Sequence, residues 1–154
     1  MADSRAQREA EIWVREHWLP QALGQPFEKK RLSLRWGGRF EPDAVSKDGR
    51  IAVCISTCGG VRSSGKKATP KLNKIRSDAL FLLGTEVESR IIVFSDQAMF
   101  DLCDAARKVG RFPPEIQIML ASLPAELEEA LRCARRDAAL EVSPAAAALV
   151  IDPA

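Results

Sequence analysis

Asp48-Gly49 stands between two strand-like runs, Arg39 to Ser46 and Ile51 to Thr57, and no other dipeptide limits the fold of this chain as much. A two-residue loop of this type joins antiparallel strands in a tight hairpin. With these two residues in the loop, opposed residue numbers sum to 97, so Asp43 faces Cys54 and Glu41 faces Ser56. Period-two alternation then gathers Glu41, Asp43, Cys54 and Ser56 on one face, and Phe40, Pro42, Ala44, Ile51, Val53 and Ile55 on the other. The second face is expected to be core and the first an exposed or half-covered polar face. Pro42 has no N–H to give a ladder, so its strand is expected to bulge there or leave that position unpaired.

Leu32 to Trp36 and a turn at Gly37-Gly38 add a strand before this hairpin and complete a three-stranded meander. A helix precedes it from about Ser4 to Leu19. Ser4 and Gln7 have the form of a capping box, Ala6, Ala10, Trp13, Val14, His17 and Trp18 share a stripe, and Pro20 is expected to end or kink the helix. After the meander, Cys58 to Thr69 is a Gly-, Ser- and Lys-rich loop. Thr69, Pro70 and Gly84 then bracket a helix with a buried stripe of Leu72, Ile75, Ala79, Leu82 and Leu83. Arg90 to Phe94 reads as a strand buried on both faces, and Ser95 or Asp96 caps a helix that stops near Gly110. A strand at Ile116 to Leu120 and a helix at Pro124 to Ala138 follow, before an Ala-rich tail over 139–154 with room for a short strand at Leu149 to Ile151. The expected fold class is α/β, a mixed sheet flanked by helices, formed by one domain over residues 4–138.

Among 154 residues, 46% hydrophobic and 29% charged content is that of a globular chain, and no apolar run approaches the ~20 residues of a membrane span. The polar N-terminus lacks the apolar stretch of a secretory signal, so a cytoplasmic location without a membrane partner is expected. Reduced thiols are then expected for Cys54, Cys58, Cys103 and Cys133, and with His17 the sole histidine a zinc site is poorly supplied. Net charge hides an asymmetry. Thirteen Lys or Arg stand against four Asp or Glu from Glu28 to Arg76, leaving ten against seventeen elsewhere. Such a basic block either meets phosphate or is a solvated face beside acidic helices.

The order helix, three meandering strands, helix, strand, with Pro42-Asp43 on the second strand, resembles the PD-(D/E)XK nuclease superfamily over roughly residues 4–95. The resemblance implies a restriction-endonuclease-like αβββαβ core. It also implies a site where two acids hold Mg²⁺ and a lysine on the third strand helps to activate water. This sequence departs from that pattern, since Cys54-Ile55-Ser56 occupies the place of the acid, the variable residue and the lysine. Mg²⁺ prefers oxygen ligands, and Ser56 carries no positive charge. Glu41 on the same face, Glu16 on the first helix, and Lys66, Lys67, Lys71 or Lys74 are the residues that could repair the site.

Gly60, four residues on followed by Gly65-Lys66, has part of the form of a phosphate-cradling loop, but Lys67 replaces the hydroxyl residue that would hold Mg²⁺. Cys54 as a nucleophile with His17 as its base lacks an orienting third group. Trp36 and Phe40 lie within the basic block, where they either stack on bases or pack in the core. Three function classes follow. The leading one is a nucleic-acid-associated protein, DNA before RNA, with a degenerate nuclease site and contacts from Arg62, Lys66, Lys67, Lys71 and Lys74. The second is an Mg²⁺-dependent nuclease with Asp43 and Glu41 as metal ligands, aided by Glu16, Lys66 and Lys71. The third is an interaction module, a homodimer included, that keeps only the fold.

Overall fold

Pro20 does not end the first helix, because the backbone widens ahead of it. In the computed structural model, which describes residues 4–60 and 69–136, α1 (Ser4–Trp13) passes into a π-helical turn (Val14–Trp18) and continues as α2 (Leu19–Leu23). Leu19 N–H donates to Val14 O, five residues back. The wider turn makes room for a proline ring that would clash with a carbonyl in a regular helix. The chain leaves the helix at Gly24, whose φ of 78° a side chain would resist and whose N–H donates to Pro20 O at 2.8 Å.

Seven short strands follow in order: β1 (Phe27–Glu28), β2 (Leu32–Ser33), β3 (Arg39–Phe40), β4 (Ala44–Ser46), β5 (Ile51–Ser56), β6 (Ser89–Phe94) and β7 (Ile116–Leu120). Helices α3 (Thr69–Gly84) and α4 (Gln97–Lys108) join the parallel strands, and residues 125–136 form α5. The main sheet has the order β1-β4-β5-β6-β7, antiparallel over its first three strands and parallel over its last three. An α/β fold with a mixed five-stranded sheet flanked by helices is therefore what this sequence adopts. The tail over 139–154, with Leu149 to Ile151, lies outside the described residues.

The hairpin register is the one that alternation requires, with Ala44 opposite Val53 and Val45 opposite Ala52. Its loop is longer than the expected two-residue turn. Gly49 N–H donates to Ser46 O, Gly49 takes a φ of 76°, and the Asp48 carboxylate accepts from Ser46 Oγ and Arg50 N–H. The expected three-stranded meander is corrected in one respect. β2 and β3 pair only with each other as a separate two-stranded ribbon, and β1 takes the edge place beside β4. The run from Arg39 to Ser46 is interrupted at Glu41-Pro42-Asp43, where Pro42 cannot donate to a ladder; its first half leaves the sheet, with Phe40 on Phe81, and its second half stays.

Both faces of the main sheet are covered. Ala44, Val53, Ile91 and Val93 pack with Val14, Leu19 and Phe27, whereas Ala52, Cys54, Ile92 and Phe94 pack with Leu72, Ile75, Ala79 and Leu82 of α3 and Met99 and Cys103 of α4. The face with Cys54 and Ser56 is thus not the open polar surface that its small residues imply; Cys54 is 3% exposed and Ser56 8%. Phe40 also changes side. It stacks on Phe81 of α3, with ring centroids 5.3 Å apart, instead of joining Ala44. Helix α5 packs Leu131 and Ala134 on Ala6 and Ala10 of α1.

Candidate functional site

Where β4 begins, the chain sets a carboxylate against the neighbouring strand. Asp43 Oδ2 accepts from Ile55 N–H at 2.7 Å and its carbonyl accepts from Arg15 at 3.1 Å, while its backbone N–H faces Cys54 and favours the thiolate slightly. Burial pushes the Asp43 carboxyl up from 3.8 to about 6 against the pull of the Ile55 N–H; the nearby charges of Glu11 and Asp78 push the same way and Lys29 opposes them. Two further groups share this environment. Burial raises Asp78 despite Lys74, whose Nζ lies 3.8 Å from its Oδ2. Burial raises the Cys54 thiol well above its usual value, and Asp78 and Asp43 add to that.

Asp43, Cys54, Asp78 and Glu11 therefore converge electrostatically around one end of the central hairpin. Glu11 itself is tied to Arg15 at 2.9 Å and Lys29 at 3.5 Å. Of the acids named beside Asp43 from the sequence, Glu41 is exposed next to the Pro42 break, and Glu16 is exposed in the π-helical turn. The carboxylates whose fields reach Asp43 are instead Glu11 and Asp78. Glu11 stands one turn and a residue before Glu16. Asp78 borders the buried stripe of α3, next to Ala79 and three residues after Ile75; a lone acid at the edge of an apolar stripe was the available signal for it. Lys71 and Lys74 are exposed on the first two turns of α3. Arg62, Lys66 and Lys67, and the phosphate-loop pattern with them, lie outside the described residues.

The donor set does not fit Mg²⁺. Opposite Asp43 is a neutral, buried thiol, a soft ligand in its protonated form, and one Asp43 oxygen is already held by an amide. Among the described residues no three His, Cys, Asp or Glu side chains form a metal shell. The same raised thiol is a poor nucleophile. His17 gives it no base, since His17 is exposed on a helix that packs on the opposite sheet face and lies beside Trp13, ring centroids 6.1 Å apart.

The segment after β5 is fixed at its start. Gly60 N–H donates to Asp96 Oδ2 at 2.8 Å, the carboxylate that also caps α4 through Met99 N–H at 3.0 Å. Arg135 of α5 donates to Thr57 O at 2.7 Å and lies 3.5 Å from Asp96. A Cβ on Gly60 would fall 2.7 Å from Met99 Cα, inside contact distance of backbone. Gly60→Ala is therefore expected to lower stability by about 1–3 kcal/mol by forcing strand end and helix apart. Urea unfolding checks this, and an unchanged midpoint would show that the segment is free to move.

Compared with protein-family models, curated proteins and solved structures, the chain matches none. No helix among the described residues is long and apolar enough to cross a membrane.

Proposed function

We propose that this chain is a nucleic-acid-associated protein of the PD-(D/E)XK nuclease-like type whose catalytic motif has degenerated. One observation carries the reading. Asp43, preceded by Pro42 at the entry to β4, is half-buried against β5 beside the Cys54 thiol, and in this reading the thiol stands for the superfamily's second acid. A carboxyl that burial holds at about 6 destabilises a fold in neutral solution, and such groups cluster at functional sites. The element order, α1, an antiparallel β1-β4-β5 unit, α3 and a parallel β6, supports the αβββαβ core of that type. With a thiol and a hydroxyl in place of the acid and the lysine, Asp43 keeps the position and loses the partners for hydrolysis.

Binding is supported by the charge distribution. The basic block flanks Asp43 on both sides in the sequence, and Lys71 and Lys74 are exposed on α3, Lys74 at 3.8 Å from Asp78. Lys71→Ala with Lys74→Ala is expected to weaken binding to duplex DNA of any sequence and to lower the salt slope of the affinity by about one per lost phosphate contact. Titration of a labelled duplex at several salt concentrations measures both quantities. Absence of any complex with the wild-type protein at low salt would end the nucleic-acid reading.

A further inference from the structure

The ribbon of β2 and β3 is the part of the molecule that the hairpin site leaves unexplained. From Lys29 to Phe40 the chain carries Lys29, Lys30, Arg31, Arg35 and Arg39 and no acid. Lys29 is held at Glu11, 3.5 Å away. Lys30, Arg31, Arg35 and Arg39 are exposed and have no ion-pair partner among the described residues. Trp36, at the turn between the strands, is 50% exposed, with the Arg35 guanidinium 5.9 Å from its ring centroid.

This ribbon is held in place. Leu34 is buried and its N–H donates to Gly38 O at 2.8 Å, closing the turn, while Arg35 N–H donates to Gly84 O at 2.9 Å at the end of α3. The benzo carbons of Trp36 lie against Gly84, where a Cβ would fall 2.8 Å from Cζ3. Phe40 stacks on Phe81 one turn earlier in α3. An indole and four cations without an ion-pair partner among the described residues are thus presented on a fixed support. Ordering such groups in advance removes part of the entropy lost on binding.

The position of the ribbon relative to Asp43 completes the argument. Lys29, at its start, acts on the Asp43 carboxyl, and Phe40, at its end, is three residues from Asp43. We infer that the β2–β3 ribbon is a nucleic-acid contact arm, with Lys30, Arg31, Arg35 and Arg39 on backbone phosphates and the exposed part of Trp36 against a backbone sugar. Guanidinium groups match phosphate in a two-pronged geometry, and an indole beside them packs on the sugars of a duplex backbone without regard to sequence. The occupant is a nucleic-acid duplex and not an acidic protein, because the cations flank an aromatic at one turn and adjoin the Asp43 site. The inference rests on the nucleic-acid reading above and adds to it the element that makes the principal contact.

The test is anisotropy of a fluorescein-labelled DNA duplex across a salt series. It uses the full chain as wild type, as Lys30→Ala/Arg31→Ala, as Arg35→Ala/Arg39→Ala, and as Lys71→Ala/Lys74→Ala. All four ribbon positions are exposed, and circular dichroism verifies that each variant is folded. Each ribbon pair is expected to lower the salt slope by about two, which removes roughly a tenfold share of the affinity lost between 50 and 200 mM salt. Duplex binding is expected to quench tryptophan emission in the wild type and not in Trp36→Phe. Ribbon variants that bind as the wild type does, while the α3 pair weakens, would overturn the arm and leave the nucleic-acid reading intact. A wild type that binds no duplex would overturn both, and one that binds polyglutamate as tightly as DNA would assign the patch to acidic protein and overturn the arm.

Discussion

Asp43→Asn is expected to stabilise the protein by about 3 kcal/mol above pH ~7 and by almost nothing below pH ~4. The sign follows from linkage. The Asp43 carboxyl lies at about 6 in the fold against 3.8 in the free chain, so the folded state holds this proton more tightly than the unfolded one. Its favourable contribution is complete below 3.8 and is lost as pH rises through about 6, where the charged form must stay buried near Glu11 and Asp78. Asparagine keeps an oxygen to accept from Ile55 N–H and carries no charge. Asp78, also raised by burial, gives wild-type stability the same downward trend with pH. Urea unfolding of both proteins at the two ends of the range measures the difference. A gain of equal size at both pH values would show that Asp43 is not the group responsible.

Cys54→Glu together with Ser56→Lys, the change that gives β5 an acid and a lysine, is expected to destabilise the protein by about 4 kcal/mol in neutral solution without metal. Both sites are buried, Cys54 under α3, and the new carboxylate would stand beside Asp43 and near Asp78. Like charges with little water around them are unfavourable, and the introduced lysine would relieve only part of the effect. Added Mg²⁺ is expected to return about 2.7 kcal/mol to this variant once it exceeds the dissociation constant a hundredfold, and nothing to the wild type. Thermal unfolding with and without Mg²⁺ compares the two. A wild-type midpoint that rises with Mg²⁺, and stops rising in Asp43→Ala, would show that the thiol does not disable the site.

The hairpin register was legible because side-chain alternation and Asp48-Gly49 specify it independently, and a slip by one residue would have turned Val53 and Ala44 away from the α1 face. Cover on the other face was not legible. Cys54 and Ser56 are small enough to sit at a helix–sheet interface or in water, and only the packing of α3 decides between them. Pro42 announced an interruption, yet nothing local said that β2 and β3 would leave the sheet or that Phe27–Glu28, two residues long, would replace them. That exchange depends on tertiary contacts such as Phe40 on Phe81. In the site, Asp43 was identified by its place beside proline. Glu11 and Asp78 were not, because a single acid on a helix ordinarily reads as a solvated charge, and their approach to Asp43 is a property of how α1 and α3 cross the sheet.

Incubation of the wild-type protein with end-labelled duplex DNA and Mg²⁺ or Mn²⁺, resolved in parallel on native and denaturing gels, tests the central claim most directly. The account predicts a retarded complex on the native gel and full-length strands on the denaturing one. Shortened strands that disappear with Asp43→Ala would contradict it, and would make this chain a nuclease that works with a thiol beside Asp43.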